Sequence, residues 1–420
     1  MDDNSRPNYL HTSGSQILDL DNKPFRIAGV NWYGFDCDSM VPGGLGRTTI
    51  ESTCSQIKAL GFNCIRLPFC VQAVLQNQPR TQYLDAEPDL KGKTSLEIMD
   101  VLVVCAAQHG LRVILDCHRG PSGWSTQENG LWYTQAYPET AWLEAWETLV
   151  QRYANNPTVI GCDLHNEPGS PPPKPGMWPA NGGALWGFGD GMFGSHRDWA
   201  AAATRAGNHI LGINPNLLIF VEGVREDPAG PAENNNSYWF GGNLTGVRSA
   251  GLPHRLHATQ IQLAVPNRLV YSVHDYGPAM YGGLPWCQLG STANSSDACF
   301  SVWDKTWGFI AREGIAPVYL GEFGTPNGLK QDRDNDPSAN YTQPNESNPQ
   351  GAWFSYLVQY VRANDIHWTY WCVNGTQSQA PGRTAGHVEG YGVLDPTWKG
   401  VASEPLMEQL RTIQVGGGPA

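Results

Sequence analysis

The segment SLEIMDVLVVCAAQHGLRVILD, Ser95 to Asp116, decides the fold. From Ser95 to His109 apolar side chains recur at helical spacing, and the run stops at Gly110, the residue type that ends helices because it tolerates positive φ. Arg112-Val-Ile-Leu-Asp116 follows, too short and too apolar for an exposed hairpin. It must be covered on both faces, as strands of a parallel sheet are.

The same alternation extends in both directions. Strands read at Phe25–Asn31, Cys64–Pro68, Arg112–Asp116, Val159–His165, Leu217–Val221, Leu269–Val273, Pro317–Gly321 and His367–Trp371. Helices read at Thr48–Leu60 before Gly61, Thr140–Tyr153, Arg197–Leu211 before Gly212, and Gly351–Asn364. The fifth unit is the weakest, with Tyr238-Trp-Phe-Gly-Gly242 as its one compact piece. Eight β-then-α units without a low-complexity linker predict an α/β fold, a single (β/α)8 TIM barrel spanning 14–412. Residues 1–13 are expected as an N-terminal extension and 413–420 as a flexible tail. Long stretches after strand four (Gly169–Ser195) and strand seven (Thr325–Gln350) follow strand C-termini and are expected to wall a cleft.

The 420 residues carry 27 Lys+Arg against 39 Asp+Glu, a formal charge of −12. Such a chain lacks the basic stripe that nucleic-acid phosphates require and is repelled by anionic lipid. A neutral or cationic partner is expected, and a monomer. Forty-eight Gly, 31 Pro, 16 Trp and 16 Tyr, with only 16% charged residues, point to long loops and many aromatic surfaces rather than disorder. The longest apolar stretch, Ile98–Cys117, is broken by Asp100, Gln108, His109 and Arg112, so no membrane span is expected. Met1-Asp2-Asp3-Asn4 has neither the basic start nor the apolar core of a signal peptide. That start fits a mature secreted protein or a cytosolic one; the expectation is secretion, with which sequons at Asn235, Asn243, Asn294, Asn340, Asn345 and Asn374 are compatible. None of the ten cysteines forms a CxxC pair, which speaks against zinc. Several sit in apolar strand runs and read as buried thiols. Cys287 and Cys299 instead bracket a polar loop and are expected to form a disulfide.

On the barrel reading, Arg66, His118, Asn166, Glu167, His274, Tyr276, Glu322 and Trp371 crowd the C-terminal ends of the strands. Glu167 and Glu322, on strands four and seven, can face one another across the mouth. Two carboxyls about 5 to 5.5 Å apart suit retaining glycoside hydrolysis, one protonating the leaving oxygen while the other attacks the anomeric carbon.

The runs Gly29-Val-Asn-Trp-Tyr-Gly34, Ile65-Arg-Leu-Pro68, Asp163-Leu-His-Asn-Glu-Pro168, His274-Asp-Tyr276, Gly321-Glu-Phe-Gly324 and Trp368-Thr-Tyr-Trp371 resemble the cellulases of glycoside hydrolase family five, in the right order from about Gly14 to Trp398. The resemblance implies a retaining β-glycosidase, an endo-β-1,4-glucanase acting on β-glucan poly- or oligosaccharides. It implies Glu167 as acid/base and Glu322 as nucleophile. Asn166 would hold the sugar 2-hydroxyl, Arg66 and Tyr276 would partner the nucleophile, His118 and His274 would line the central subsite, and Trp371 would be its platform. A cationic Arg66 and the Tyr276 hydroxyl would favour the charged form of Glu322, whose charge in turn would keep Glu167 protonated. The Pro-rich stretch after Pro168 and the tail Asn374–Gly392 have no counterpart in compact bacterial members, so substrate detail stays open. No metal or other cofactor is expected, since His118, His165 and His274 lie on separate strands. Trp32, Trp124, Trp132, Trp178, Trp186, Trp239 and Trp286 read as sugar-stacking candidates, Trp32 and Trp239 foremost because they sit in shared motifs. The alternatives are an exo-acting β-glycosidase or a β-mannanase or glucomannanase of the same family, a metal-dependent barrel hydrolase, and a non-catalytic glycan-binding barrel. Retention of both carboxylates weighs against the last.

Overall fold

A computed structural model describes residues 8–169, 183–187, 195–226, 238–248, 260–281, 296–329, 341–343 and 349–414. Two short strands, β1 (His11–Ser13) and β2 (Gln16–Leu18), pair antiparallel ahead of the barrel. The barrel strands are β3 (Ala28–Asn31), β4 (Cys64–Cys70), β5 (Arg112–Arg119), β6 (Val159–Asp163), β7 (Leu218–Glu222), β8 (Leu269–Tyr276), β9 (Val318–Gly324) and β10 (His367–Tyr370). All neighbours are parallel, and β10 pairs with both β3 and β9, closing the ring. The eight expected strands and the (β/α)8 fold class are all present.

Burial explains the apolar composition. Inside the ring, Cys64, Ile114, Ile160, Leu218, Phe220, Val270 and Tyr319 form one cluster. Between strands and helices lies a larger one. Alternate strand residues feed the two, as the period-two geometry of a strand requires. Leu10 and Ile17 belong to the inner cluster. The β1–β2 hairpin is therefore the floor of the barrel. At the other terminus Ile413 is buried and its carbonyl accepts from Trp368 Nε1.

Helices Ile50–Ala59, Ser95–Gln108, Glu139–Arg152, Trp199–Ile213 and Pro349–Ala363 stand where the periodicity places them. Ser95–Gln108 starts with a reciprocal cap: the Thr94 hydroxyl accepts from the Glu97 N–H while the Glu97 carboxylate accepts from the Thr94 N–H. Gly61 and Gly110 adopt φ of +91° and +65° just past their helices. Gly212 does not stop its helix, which runs on to Ile213. Between β7 and β8 the described residues contain only a 3-10 turn, Thr245–Arg248, consistent with the weak fifth unit. No helix among the described residues is long and apolar enough to cross a membrane. The sequons Asn243 and Asn374 are buried; Asn235, Asn294, Asn340 and Asn345 lie outside the described residues. So do Cys287, and with it the expected Cys287–Cys299 bridge, and most of the two long loops.

Candidate active site

Register decides which polar side chains meet at the mouth. Pairing of β3 with β4 sets Asn31 beside Arg66, and β5 with β6 sets Asp116 beside Asp163. Between β8 and β9 the register shifts at Val273/His274, which places His274 opposite Glu322 and skips Gly321. The glycine has a reason: a Cβ there would lie 3.0 Å from Ser272 Oγ and 3.1 Å from His274 Nε2.

Arg66 is the hub, fully buried. Its Nε donates to Asp163 Oδ2 at 2.9 Å, Nη1 to Glu322 Oε1 at 2.8 Å and Asn31 Oδ1 at 3.0 Å, and Nη2 to Asn166 Oδ1 at 3.0 Å and Glu222 Oε1 at 3.1 Å. Asp116 Oδ1 lies 3.1 Å from Nη2. Burial alone would lower the guanidinium pKa, but Asp116, Asp163, Glu322 and Glu222 raise it well above the ordinary Arg value. Arg66 is thus a permanent buried cation holding several carboxylates in fixed directions. The other oxygen of Glu322, Oε2, accepts from Tyr276 Oη at 2.9 Å.

Glu167 sits on the opposite side, just past β6. Its backbone is in the left-handed region (φ +51°), and its N–H donates to Glu222 Oε2 at 2.7 Å, so the Glu222 carboxylate holds the strained turn that aims the side chain. Glu167 Oε1 accepts from Trp239 Nε1 at 2.7 Å and lies 3.0 Å from His274 Nδ1. Burial raises the Glu167 pKa; the His274 contact opposes this, and the Glu322 and Glu222 charges reinforce it. An oxygen of Glu167, an oxygen of Glu322 and a ring nitrogen of His274 lie within 4.8 Å of one another. An inverting pair needs about 6.5 to 9.5 Å between carboxyls to admit a water; a retaining pair needs about 5 to 5.5 Å.

These three residues could in principle ligate a metal. The imidazole argues against it. His274 Nδ1 faces Glu167, and Nε2 lies 3.1 Å from Glu222 Oε1 as an ion-pair contact rather than an aligned hydrogen bond. Burial would lower the His274 pKa, but Glu222 and Glu322 raise it well above the ordinary value. A raised pKa favours the imidazolium, the form with no lone pair for an ion.

An aromatic wall completes the mouth. Trp371, just past β10, stacks on Tyr33 (centroids 5.3 Å apart, planes at 10°) and on His118 (5.7 Å, 20°). His118 Nδ1 lies 2.7 Å from Asp116 Oδ2. Trp124, partly exposed, meets Tyr33 edge-on, and the Arg383 guanidinium sits 3.9 Å above the Trp124 ring. Arg383 is itself paired with Glu389, which accepts from Tyr33 Oη at 2.5 Å.

All eight residues expected at the strand ends converge here, joined by Trp239. Trp32 does not. It is fully buried in the outer apolar cluster with Nε1 donating to Gly43 O, and offers no face to a ligand. Trp132 and Trp186 are likewise buried, while Trp178 and Trp286 lie outside the described residues. The sequence reading missed Asn31, Tyr33, Asp116, Asp163, Glu222, Arg383 and Glu389. Glu222 ends its strand just as Glu322 nearly ends its own, and was findable by the same rule.

Comparison with known proteins agrees with this geometry. Residues 18–377 match the family model described as Cellulase (glycosyl hydrolase family 5). An endoglucanase of Paenibacillus polymyxa is 40% identical over 376 residues, covering 89% of this chain and 82% of that protein. The major extracellular endoglucanase of Xanthomonas campestris is 30% identical, covering 96% of this chain and 71% of that protein. Among solved structures, an endocellulase from Pyrococcus horikoshii in complex with cellotetraose superposes with a TM-score of 0.78 at 30% identity, covering 98% of this chain and 99% of that one.

Proposed function

The chain belongs to the cellulase family, glycosyl hydrolase family 5, and from that premise we propose that it cleaves β-1,4-glucan internally by double displacement, Glu322 attacking and Glu167 serving as acid and then base. The observation that carries this reading is the approach of a Glu167 oxygen and a Glu322 oxygen to within 4.8 Å. That approach fits the close carboxyl pair of a retaining enzyme, about 5 to 5.5 Å apart, rather than the about 6.5 to 9.5 Å of an inverting one.

Each step uses groups already placed. Protonated Glu167 delivers its proton to the glycosidic oxygen while Glu322 forms the bond to the anomeric carbon, expelling the aglycone as an alcohol. Arg66 and Tyr276 hold one nucleophile oxygen each. Asn166 turns Oδ1 to Arg66, which leaves its NH2 group to donate to the sugar 2-hydroxyl. Esterification removes the charge of Glu322, and with it one cause of the raised Glu167 pKa. Glu167 then ionises and activates the water that frees the sugar. Trp371, supported by Tyr33 and His118, is the stacking platform, and Trp239 both borders the cleft and positions Glu167. Secretion and a monomeric state belong to the same reading, supported by the extracellular relative and the acidic charge.

Proton NMR of the first product from a soluble β-1,4-glucan should show the β-anomer, with rapid loss of viscosity. An α-anomer would overturn double displacement, and release of short sugars without viscosity loss would overturn internal cleavage. Tyr276→Phe removes a hydroxyl bonded to a carboxylate, a contact worth about 1.5 to 3 kcal/mol. A fall in kcat of about 10- to 100-fold with little change in KM is expected.

A further inference from the structure

Away from the barrel mouth, a second group of ligand-type side chains comes together on the outer helical layer. Helix Ile50–Ala59 carries Glu51 and Cys54, three residues apart; helix Ser95–Gln108 and its C-terminal cap carry Cys105 and His109, four apart. Both spacings put a pair on one helix face, and the two helices pack side by side. Glu51 Oε2 lies 3.1 Å from Cys105 Sγ and Oε1 lies 2.8 Å from His109 Nε2, with one ligand atom from each of the three within 4.8 Å of the others. Cys54 lies outside that group of three. Cys54 is fully buried and Cys105 nearly so, whereas the His109 and Glu51 side chains are 21% and 67% exposed. The cluster is closed behind by sulfur and open in front.

We propose that Glu51, Cys105 and His109 form a zinc site that clamps the first two major outer helices together. One thiolate, one imidazole and one carboxylate, with a water in the fourth position, are donors that a tetrahedral, borderline-soft ion accepts, and none of the hard-ion pattern of several oxygens is present. Zn–N of about 2.0 Å and Zn–S of about 2.3 Å separate tetrahedral donor atoms by roughly 3.3 to 3.8 Å, close to the spacing seen. Binding replaces the Cys105 thiol proton, which leaves to solvent; nothing is oxidised or reduced. The lack of a CxxC pair did not exclude zinc, because Cys105 and His109 form a CxxxH pair on one helix and Glu51 comes from the other. The site lies outside the reaction chemistry, so its success or failure is independent of the glucanase reading.

The test is zinc stoichiometry on the full chain, reduced and then dialysed against a chelator, by competition with a chromophoric chelator; cobalt substitution reports thiolate ligation. One equivalent is expected, with a tetrahedral cobalt–thiolate spectrum and a higher unfolding temperature. Glu167→Gln should keep that equivalent, placing it away from the barrel mouth. Cys105→Ser and His109→Gln should weaken binding beyond the roughly 10- to 100-fold lost with a supporting contact, while β-glucan hydrolysis continues. His109→Gln changes only a partly exposed side chain and keeps the test valid if Cys105→Ser fails to fold. Absence of stoichiometric binding, binding that survives His109→Gln, or a Cys54–Cys105 disulfide in peptides from non-reduced protein would each overturn the site.

Discussion

Glu322→Ala should lose turnover by on the order of 10⁵-fold, roughly 7 kcal/mol of transition-state stabilisation, with the fold intact. The loss is large because the residue forms a bond, and the gap it leaves cannot be filled by a neighbour: Arg66 and Tyr276 both donate toward the vacated position and neither can attack. A small anion can occupy it. Azide should restore part of the activity on an activated aryl β-glucoside and give the α-glycosyl azide, since it enters from the face Glu322 used. Near-wild-type activity, or rescue giving the β-azide, would remove Glu322 from the nucleophile role.

The legible part of this site was its strand-end layer. Arg66, His118, Glu167, His274, Tyr276 and Glu322 follow or end short apolar runs, and a polar residue at the end of a buried strand has nowhere to go except the mouth. The supporting layer was not legible in the same way. Asp116 and Asp163 lie inside or at the edge of apolar runs, and only the β5–β6 register, a property of two strands together, shows that they flank Arg66.

Trp32 and Tyr33 show how much strand parity decides. Asn31 points inward to Arg66, so Trp32 must point out toward the helices and Tyr33 back in, where it stacks on Trp371. Motif likeness favoured the tryptophan; alternation would have favoured the tyrosine. The hairpin floor was hidden for another reason: Leu10 and Ile17 sit in the short apolar pairs Tyr9-Leu10 and Ile17-Leu18 within a polar stretch, without a run long enough to announce strands, and their burial depends on a barrel end that exists only after eight strands close.

Glu167→Gln should separate substrates by leaving group. A cellooligosaccharide leaves as a poor alkoxide and needs the proton, so kcat/KM should fall about 10²- to 10⁴-fold. A dinitrophenyl glycoside needs no proton, so its glycosylation rate should be nearly unchanged. The second step still needs the base, and a burst of dinitrophenolate followed by slow turnover is expected as the glycosyl-enzyme accumulates. With Glu167→Ala, azide should relieve that step and give the β-glycosyl azide. The pH profile follows from sign: burial first, then the Glu322 and Glu222 charges, raise the Glu167 pKa, against the lowering by His274. The wild type should therefore stay active above the ordinary Glu range near about 4.3 and lose activity as pH rises through the raised value and the acid is deprotonated. In Glu167→Gln, which cannot titrate, that alkaline limb should vanish from the residual hydrolysis of the cellooligosaccharide. A uniform loss across leaving groups with the alkaline limb intact would place the proton donor elsewhere, and the Trp239 and His274 contacts to Glu167 would then be supports for the loop rather than for an acid.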